Sequence, residues 1–339
     1  MRPKVSDLFI EREKATLSKH AFLTEKTRGR KHAYTPCINR TEFQRDRDKI
    51  IHSKSFRRLM HKTQVFLLPI DEHYRNRMTH TLEVTQIARI IARALRLNED
   101  LTEAAALGHD LGHTPFGHAG EEVMRKCFSP DFSHSEQSLR VVEKLENNGE
   151  GLNLTYEVRD AIRWHNGDAL ASTLEGVIVK FADRIAYINH DIDDAVRGGI
   201  LKMEDIPSDI IETLGTGHSQ RINTMVSSII YASENMSTIQ MEPEIWDATC
   251  ALRKFLFDTV YINPVAKGEE KKAKLMLEGL YDYYLSNPEK MPSLFLKIAD
   301  EEGLPRAVCD YVSGMTDRYA IDTFKKIYIP MSWKVEGND

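Results

Sequence analysis

The sequence predicts an all-α fold, mainly α-helical throughout, on three observations. Apolar residues recur at helical spacing from Leu82 onward, no stretch sustains the period-two alternation of a strand, and capping residues, glycines and prolines punctuate the periodic stretches. The chain has 339 residues, 41% apolar and 29% charged, which suits a globular protein with a sizeable core in one large domain or two. Its longest apolar runs fall far short of the ~20 residues needed to span a bilayer. No membrane association is expected. Residues 1–22, "MRPKVSDLFIEREKATLSKHAF", lack the apolar core and small-residue cleavage site of a secretory leader, so the expected location is the cytoplasm. Cys37, Cys127, Cys250 and Cys309 are widely separated and form no C-x-x-C, which argues against a disulfide framework and a thiolate zinc site.

Residues 1–50 read as a basic N-terminal arm. From Lys26 to Lys62 there are twelve Lys/Arg against three Asp/Glu, in a chain of net charge -5. That asymmetry suits contact with a polyanion, and equally an arm that packs on or salt-bridges to another subunit. In "RMTHTLEVTQIARIIARALRL", His80, Val84, Ile87, Ile91 and Leu95 fall at steps of four, three, four and four, so a histidine shares the apolar stripe of a helix. "NEDLTEAAALGHDLG" follows as a helix capped by Asn98 or Asp100, apolar at Leu101, Ala104, Ala105 and Leu107, and ended near Gly112. It delivers His109 and Asp110 at its last turn. Thr114 and Pro115 resemble an N-cap and first helical residue, opening a segment in which His118 can meet Glu121 or Glu122.

"TLEGVIVKFADRIAYINHDIDDAVRGG" predicts a long helix with the stripe Val177, Phe181, Ile185, Ile188 and Ile192, ended by Gly198-Gly199. Beside the stripe runs a polar row, Asp183, Tyr187 and Asp191, at steps of four, which looks toward a cavity. Further helices are expected near 219–233, 244–260, 268–286 and 305–326, with a loose tail at 331–339. Residues 51–200 form a core region and 201–330 a C-terminal helical region packed on it.

The stretch "GHDLGHTPFGHAGEE" at 108–122 holds three histidines, one aspartate and two glutamates. Gly108, Gly112, Gly117 and Pro115 all weaken helix there, so neither a structural helix nor a solvated loop accounts for the composition. A divalent cation in a hydrolytic site needs donors that converge from different elements and leave positions open for water and substrate. His80, His109, Asp110 and Asp183 can supply them from three helices. Imidazole and carboxylate without thiolate favour Mn, Fe, Co, Ni or Mg over structural zinc, one ion per site. Taken alone, His80 on an apolar face also suits a hydrogen-bonded core histidine.

The pattern H…HD…D, together with "SKSFRRLMHKTQVF", "RNRMTHTLEV", "FSHSEQSLRVVE", "FADRIAYINHDIDD" and "DYVSGMTDRYA", resembles the bacterial deoxynucleoside triphosphate triphosphohydrolases, the dGTPase-like family of the HD metal-dependent phosphohydrolases. The resemblance runs from residue 28 to residue 330. It implies an HD-domain helical core with additional helices, a homo-oligomer that is often a hexamer, and hydrolysis of dGTP or several dNTPs to deoxynucleoside plus tripolyphosphate. It implies His80, His109, Asp110 and Asp183 as metal ligands, and His118 with Glu121 as the pair assisting attack at the α-phosphate. His113 and His134 match further histidines of that region, as catalytic or substrate contacts or as support for the ligands. Arg77 and Arg184 match phosphate contacts, although Arg184 also suits a surface salt bridge. Gln64, Tyr187 and Asp191 match residues that bond the deoxyribose 3′-hydroxyl. The glycines of 108–122 are expected to let backbone approach the nucleotide. No role attaches to Asp317, Arg318 or Tyr319.

Two other functions fit the same residues: a nucleotidase or phosphodiesterase of the HD type, and a nucleotide or single-stranded-DNA sensor using the basic segment, whose sparse aromatics make a poor stacking platform. An allosteric dNTP and single-stranded DNA stay open as additional partners.

Overall fold

The structure, a computed structural model, describes residues 4–64, 74–262 and 264–330. The tail at 331–339 lies outside them. The described residues form sixteen α-helices and no strand, so the fold is all-α. The first three helices, α1 (Val5–Thr16), α2 (Glu42–Ile51) and α3 (Lys54–Arg58), lie ahead of the periodic region, where the sequence pattern predicts none. Thr41 opens α2 by a reciprocal cap with Gln44, and Phe43 and Ile50 on its inner face are fully buried. The inner face of α2 therefore packs into the core. The basic charge around them has internal partners. Arg30 is buried against Glu42 and Asp46, Arg40 pairs with Asp48, Arg47 with Glu103, and Lys49 donates to the Leu152 carbonyl.

The central layer is α4 (Arg77–Ala94), α5 (Glu99–Gly108), α6 (His118–Cys127), α7 (His134–Arg140), α8 (Tyr156–Trp164) and α9 (Leu174–Arg197). Asn76, Asn98, Ser133 and Thr173 start α4, α5, α7 and α9 with side chains that accept a backbone N–H three residues on. Of the α9 stripe, Ile185, Ile188 and Ile192 are buried with Val84, Ile87 and Ile91 of α4, Phe181 is partly buried against the same cluster, and α5 and α8 flank the pair. The remaining helices are α10 (Ser208–Leu214), α11 (His218–Ser233), α12 (Pro243–Leu256), α13 (Pro264–Ser286), α14 (Ser293–Glu302), α15 (Leu304–Ser313) and α16 (Asp317–Tyr328). The first three of these extend the α4–α9 core, while the last four build a second apolar cluster with α6. A third cluster joins α2, α3, α5 and α8. Ala106, Leu111 and Phe116 each belong to a different cluster, so the histidine-rich stretch runs through the junction of all three.

Three boundaries differ from expectation. Helix α5 ends at Gly108 and not near Gly112, leaving His109 as its C-cap. Helix α6 starts at His118 and not at Pro115, because Phe116 and Gly117 take left-handed φ values of 59° and 58° that no right-handed helix admits. Thr114 caps nothing; its hydroxyl donates to the Gly117 carbonyl at 2.9 Å. The helix expected at 305–326 is two, α15 and α16, separated at Gly314 and Met315, with Thr316 capping the second. No helix of the described residues is long and apolar enough to cross a membrane.

Candidate functional site

The first turn of α4, the end of α5 and the middle of α9 bring four of the predicted residues together. Ligand atoms of His80, His109 and Asp110 lie within 4.8 Å of one another. Asp183 Oδ1 stands 3.0 Å from His80 Nε2 and 3.8 Å from His109 Nε2. His109 Nδ1 sits 2.6 Å from the Ala106 carbonyl, and since a carbonyl only accepts, Nδ1 carries the proton and Nε2 keeps its lone pair. That Nε2 is buried with no hydrogen-bond partner, 3.9 Å from Asp110 Oδ1 and 3.8 Å from Asp183 Oδ1. A lone pair facing two carboxylate oxygens in a buried site repels them unless a cation lies between, so this donor set fits a divalent metal.

The other oxygen of Asp110 accepts from Arg77 Nη1 at 2.6 Å. Burial opposes the charge on Asp110, yet the Arg77 guanidinium and the surrounding histidines hold its carboxyl well below the usual range. Burial likewise opposes the charge on Asp183, and the His80 hydrogen bond and the nearby imidazoles depress it. Both acids are ionised, as metal ligands must be.

Beyond the ligands, His113 stacks on His134 at 4.7 Å and meets His118 edge-on at 5.8 Å. His118 is exposed on the open side of this group, yet desolvation by the groups around its ring and, next, the Arg77 charge hold its pKa down, to about 4. The pairing of His118 with Glu121 suggested by helical spacing is not a hydrogen bond here. Glu121 instead accepts from His134 Nδ1 at 3.2 Å, from the His134 backbone N–H at 3.3 Å and from Arg125 Nη2 at 2.7 Å. Burial opposes its charge, but the His134 hydrogen bond and the His134 and Arg125 charges bring Glu121 down to about 2. Glu122 faces outward and pairs with Lys274.

Along α9 the predicted polar row is intact. Asp191 Oδ2 accepts from the Tyr261 hydroxyl, while Asp191 Oδ1 is buried without a partner, and burial pushes this carboxyl up to about 7. Gln64 Oε1 is likewise buried and unpartnered, at the edge of the described residues; the last two positions of "SKSFRRLMHKTQVF" lie outside them. Tyr187 is half-buried between Asp183 and Asp191 in the row. Arg184 makes no salt bridge among the described residues; its guanidinium lies 4.8 Å over the Trp246 ring.

The glycines act differently from expectation. A Cβ on Gly112 would stand 2.1 Å from Ser138 N, and one on Gly120 2.1 Å from Pro115 O, so these two let the chain pack on itself, not on a nucleotide. Gly117, with φ 58°, borders Arg77 Nη2. Sequence reasoning also missed His165, whose Nε2 lies 3.2 Å from His134 Nε2. A signal was available. Like His109, His165 follows the end of an amphipathic helix and donates Nδ1–H to a carbonyl three residues back, here Ile162 at 2.7 Å. Tyr261 carried no such signal, being 70 residues from Asp191.

The HD domain profile matches residues 77–188, which contain all four candidate ligands, and the phosphohydrolase-associated domain profile matches residues 239–326. The chain is 57% identical over 330 residues to a deoxyguanosinetriphosphate triphosphohydrolase-like protein of Caldanaerobacter subterraneus subsp. tengcongensis, covering 97% of each. It is 50% identical over 327 residues to a protein of the same name from Clostridium perfringens, covering 94% of this chain and 96% of that one. A third, from Desulfatibacillum aliphaticivorans, is 48% identical over 345 residues, covering 96% and 98%. A crystal structure of a phosphohydrolase from Bacteroides thetaiotaomicron shares the fold, with TM-score 0.51 and 19% identity over 83% of this chain and 68% of that one. The chain belongs to the family of deoxyguanosinetriphosphate triphosphohydrolase-like proteins, built on the HD domain.

Proposed function

We propose that this protein hydrolyses deoxynucleoside triphosphates to deoxynucleoside and tripolyphosphate, using one divalent metal ion held by His80, His109, Asp110 and Asp183. The observation that carries this reading is the unpartnered His109 Nε2 between two ionised carboxylates. When bound by these four residues, a divalent ion would supply Lewis acidity and positive charge for the α-phosphate. Arg77, anchored on Asp110 and with its Nε unpartnered, adds charge on the same side. His118 is neutral at pH 7, because its pKa is held at about 4, and takes a proton from the attacking water. His113, also buried and neutral, keeps Nδ1 free to bond a phosphate oxygen. His134, held by Glu121, places further positive charge behind His113.

For the sugar, Asp191 Oδ1 and Gln64 Oε1 are buried acceptors without protein partners, either of which can take the single proton of the deoxyribose 3′-hydroxyl, while the Tyr187 hydroxyl can donate to its oxygen. Arg184, adjacent to Asp183, serves the phosphates. A cytoplasmic homo-oligomer, with a second dNTP or single-stranded DNA as regulators, completes the proposal. The DNA-sensor alternative loses support because Arg30, Arg40, Arg47 and Lys49 already have internal partners. The test is turnover of each dNTP and each NTP by the purified protein with Mn or Mg, products separated by ion exchange. Metal-dependent conversion of dNTPs to tripolyphosphate is the expected result, and hydrolysis of monophosphates or cyclic nucleotides instead would favour a different HD phosphohydrolase.

A further inference from the structure

The motif "DYVSGMTDRYA" at 310–320 spans the turn between α15 and α16 and plays no part in the chemistry above. Its buried groups nevertheless bond to three segments of the site. Asp317, 2% exposed, accepts the Phe116 N–H through Oδ1 at 2.9 Å and the Thr63 N–H and hydroxyl through Oδ2 at 2.8 and 2.5 Å. The Ser313 carbonyl accepts from Lys62 Nζ at 3.1 Å, and the same ammonium donates to the His113 carbonyl. Asp310, fully buried, takes Gln137 Nε2 at 2.9 Å and Arg140 Nη2 at 2.7 Å and so docks α7, whose first residue is His134.

The backbone held by these bonds is not relaxed. Phe116 has φ 59°, a left-handed conformation that a bulky residue rarely adopts and that surrounding structure must enforce. Gly117 follows at 58°, and His118 comes next as the first residue of α6, so its placement depends on both angles. On the other side, Thr63 precedes Gln64, and the Lys62 carbonyl accepts the Arg77 N–H at 3.2 Å. One carboxylate thus ties the segment carrying Gln64 and bonded to Arg77 to the turn that aims His118.

We propose that Asp317 is a positioning residue for hydrolysis: it sets the spacing of His118 from Gln64 and Arg77 across the substrate without touching the substrate, while Asp310 and Lys62 anchor the same turn. This rests on the triphosphohydrolase reading above. Asp317→Asn preserves shape but leaves one of the two segments without an acceptor. In the full chain loaded with Mn, with rates normalised to bound Mn, the variant should lose about 10-fold or more in kcat for dGTP, since small misplacements of catalytic groups are costly. Its Mn binding and Tm should stay close to those of the unmodified protein, and faster amide exchange should be confined to residues 63–64 and 114–120. Arg318→Ala, whose side chain is 85% exposed on the same turn, should leave kcat unchanged. If Asp317→Asn does not fold, Thr63→Val, which removes only the hydroxyl bond, carries the test: a loss of roughly 3-fold in kcat per bound Mn supports the assignment, and an unchanged kcat overturns it. Equal kcat per bound Mn in Asp317→Asn and the unmodified protein also overturns it. If the unmodified protein hydrolyses another dNTP and not dGTP, kcat is compared on that dNTP; if it hydrolyses none, the triphosphohydrolase reading fails separately, and amide exchange then decides: unchanged exchange at 63–64 and 114–120 in Asp317→Asn rules the positioning role out, and faster exchange there supports it.

Discussion

His134 and His165 meet nitrogen to nitrogen, Nε2 to Nε2, at 3.2 Å. Because the Ile162 carbonyl occupies His165 Nδ1–H, a neutral His165 can only accept at Nε2, so at 3.2 Å His134 donates from Nε2, the Asn166 amide nitrogen standing farther off at 3.5 Å. Its Nδ1 faces the Glu121 carboxylate and donates as well. His134 therefore carries both protons, and although burial opposes its charge, the Glu121 bond raises its pKa above the ordinary 6.5.

This pairing has a pH signature in the metal-free protein. The folded pKa of Glu121, about 2, lies below its ordinary 4.5, so its contribution is present above 4.5 and lost as pH falls toward 2. His134 is raised, so its contribution is present below 6.5 and lost as pH climbs through the folded value. Glu121→Gln should therefore lower Tm most between pH 4.5 and 6.5, with the difference narrowing on both sides. A Tm difference independent of pH would show that the pair is not ionised as described.

Removing a metal ligand should remove metal and activity together. Asp110→Ala also strands the buried Arg77 guanidinium, and breaking such a pair costs about 3–5 kcal/mol. Asp110→Asn, which keeps the volume, is therefore the cleaner variant. Stoichiometric metal retained in Asp110→Asn, read by elemental analysis, would contradict the ligand assignment.

His118 should behave in the opposite way. His118→Ala is expected to keep near-normal metal content while turnover falls by ~10²-fold or more, the scale of general acid–base catalysis. Loss of metal in that variant would move His118 among the ligands.

The sugar site predicts discrimination by a single hydroxyl. A substrate lacking the 3′-hydroxyl removes the one O–H that can donate to Asp191 Oδ1 or Gln64 Oε1 and leaves that buried acceptor unpaired, so 2′,3′-dideoxynucleoside triphosphates should lose roughly 10–100-fold in kcat/KM. Asp191→Ala should erode that ratio without changing metal content, and Tyr261→Phe should weaken it by freeing Asp191 Oδ2. Equal turnover of deoxy and dideoxy substrates would mean that the α9 row is a structural face.

Much of this was legible in the sequence because helical spacing is a local signal. Steps of three and four put His80 on the buried face of α4 and Asp183, Tyr187 and Asp191 in one row of α9, and the structure has both. What was not legible depends on contacts between distant segments. The break before His118 comes from two left-handed residues held by Asp317, 201 residues away from Phe116, so the local Thr114-Pro115 signal misplaced the start of α6. Glu121 turned to His134 and not to His118 because α7 presents its first N–H there, a choice made by how α6 and α7 dock. Gly112 and Gly120 suit a nucleotide-facing backbone by residue type alone, whereas Ser138 N and Pro115 O, brought there by the fold, occupy the space beside them.

The central claim, hydrolysis at the α-phosphorus, is tested most directly by dGTP turnover in ¹⁸O-labelled water on the metal-loaded protein, with products separated by ion exchange and weighed by mass spectrometry. Attack at the α-phosphorus breaks its bond to the 5′-oxygen, which predicts equal amounts of unlabelled deoxyguanosine and tripolyphosphate carrying one ¹⁸O. Pyrophosphate or orthophosphate as the released product, or label in the nucleoside, would contradict it.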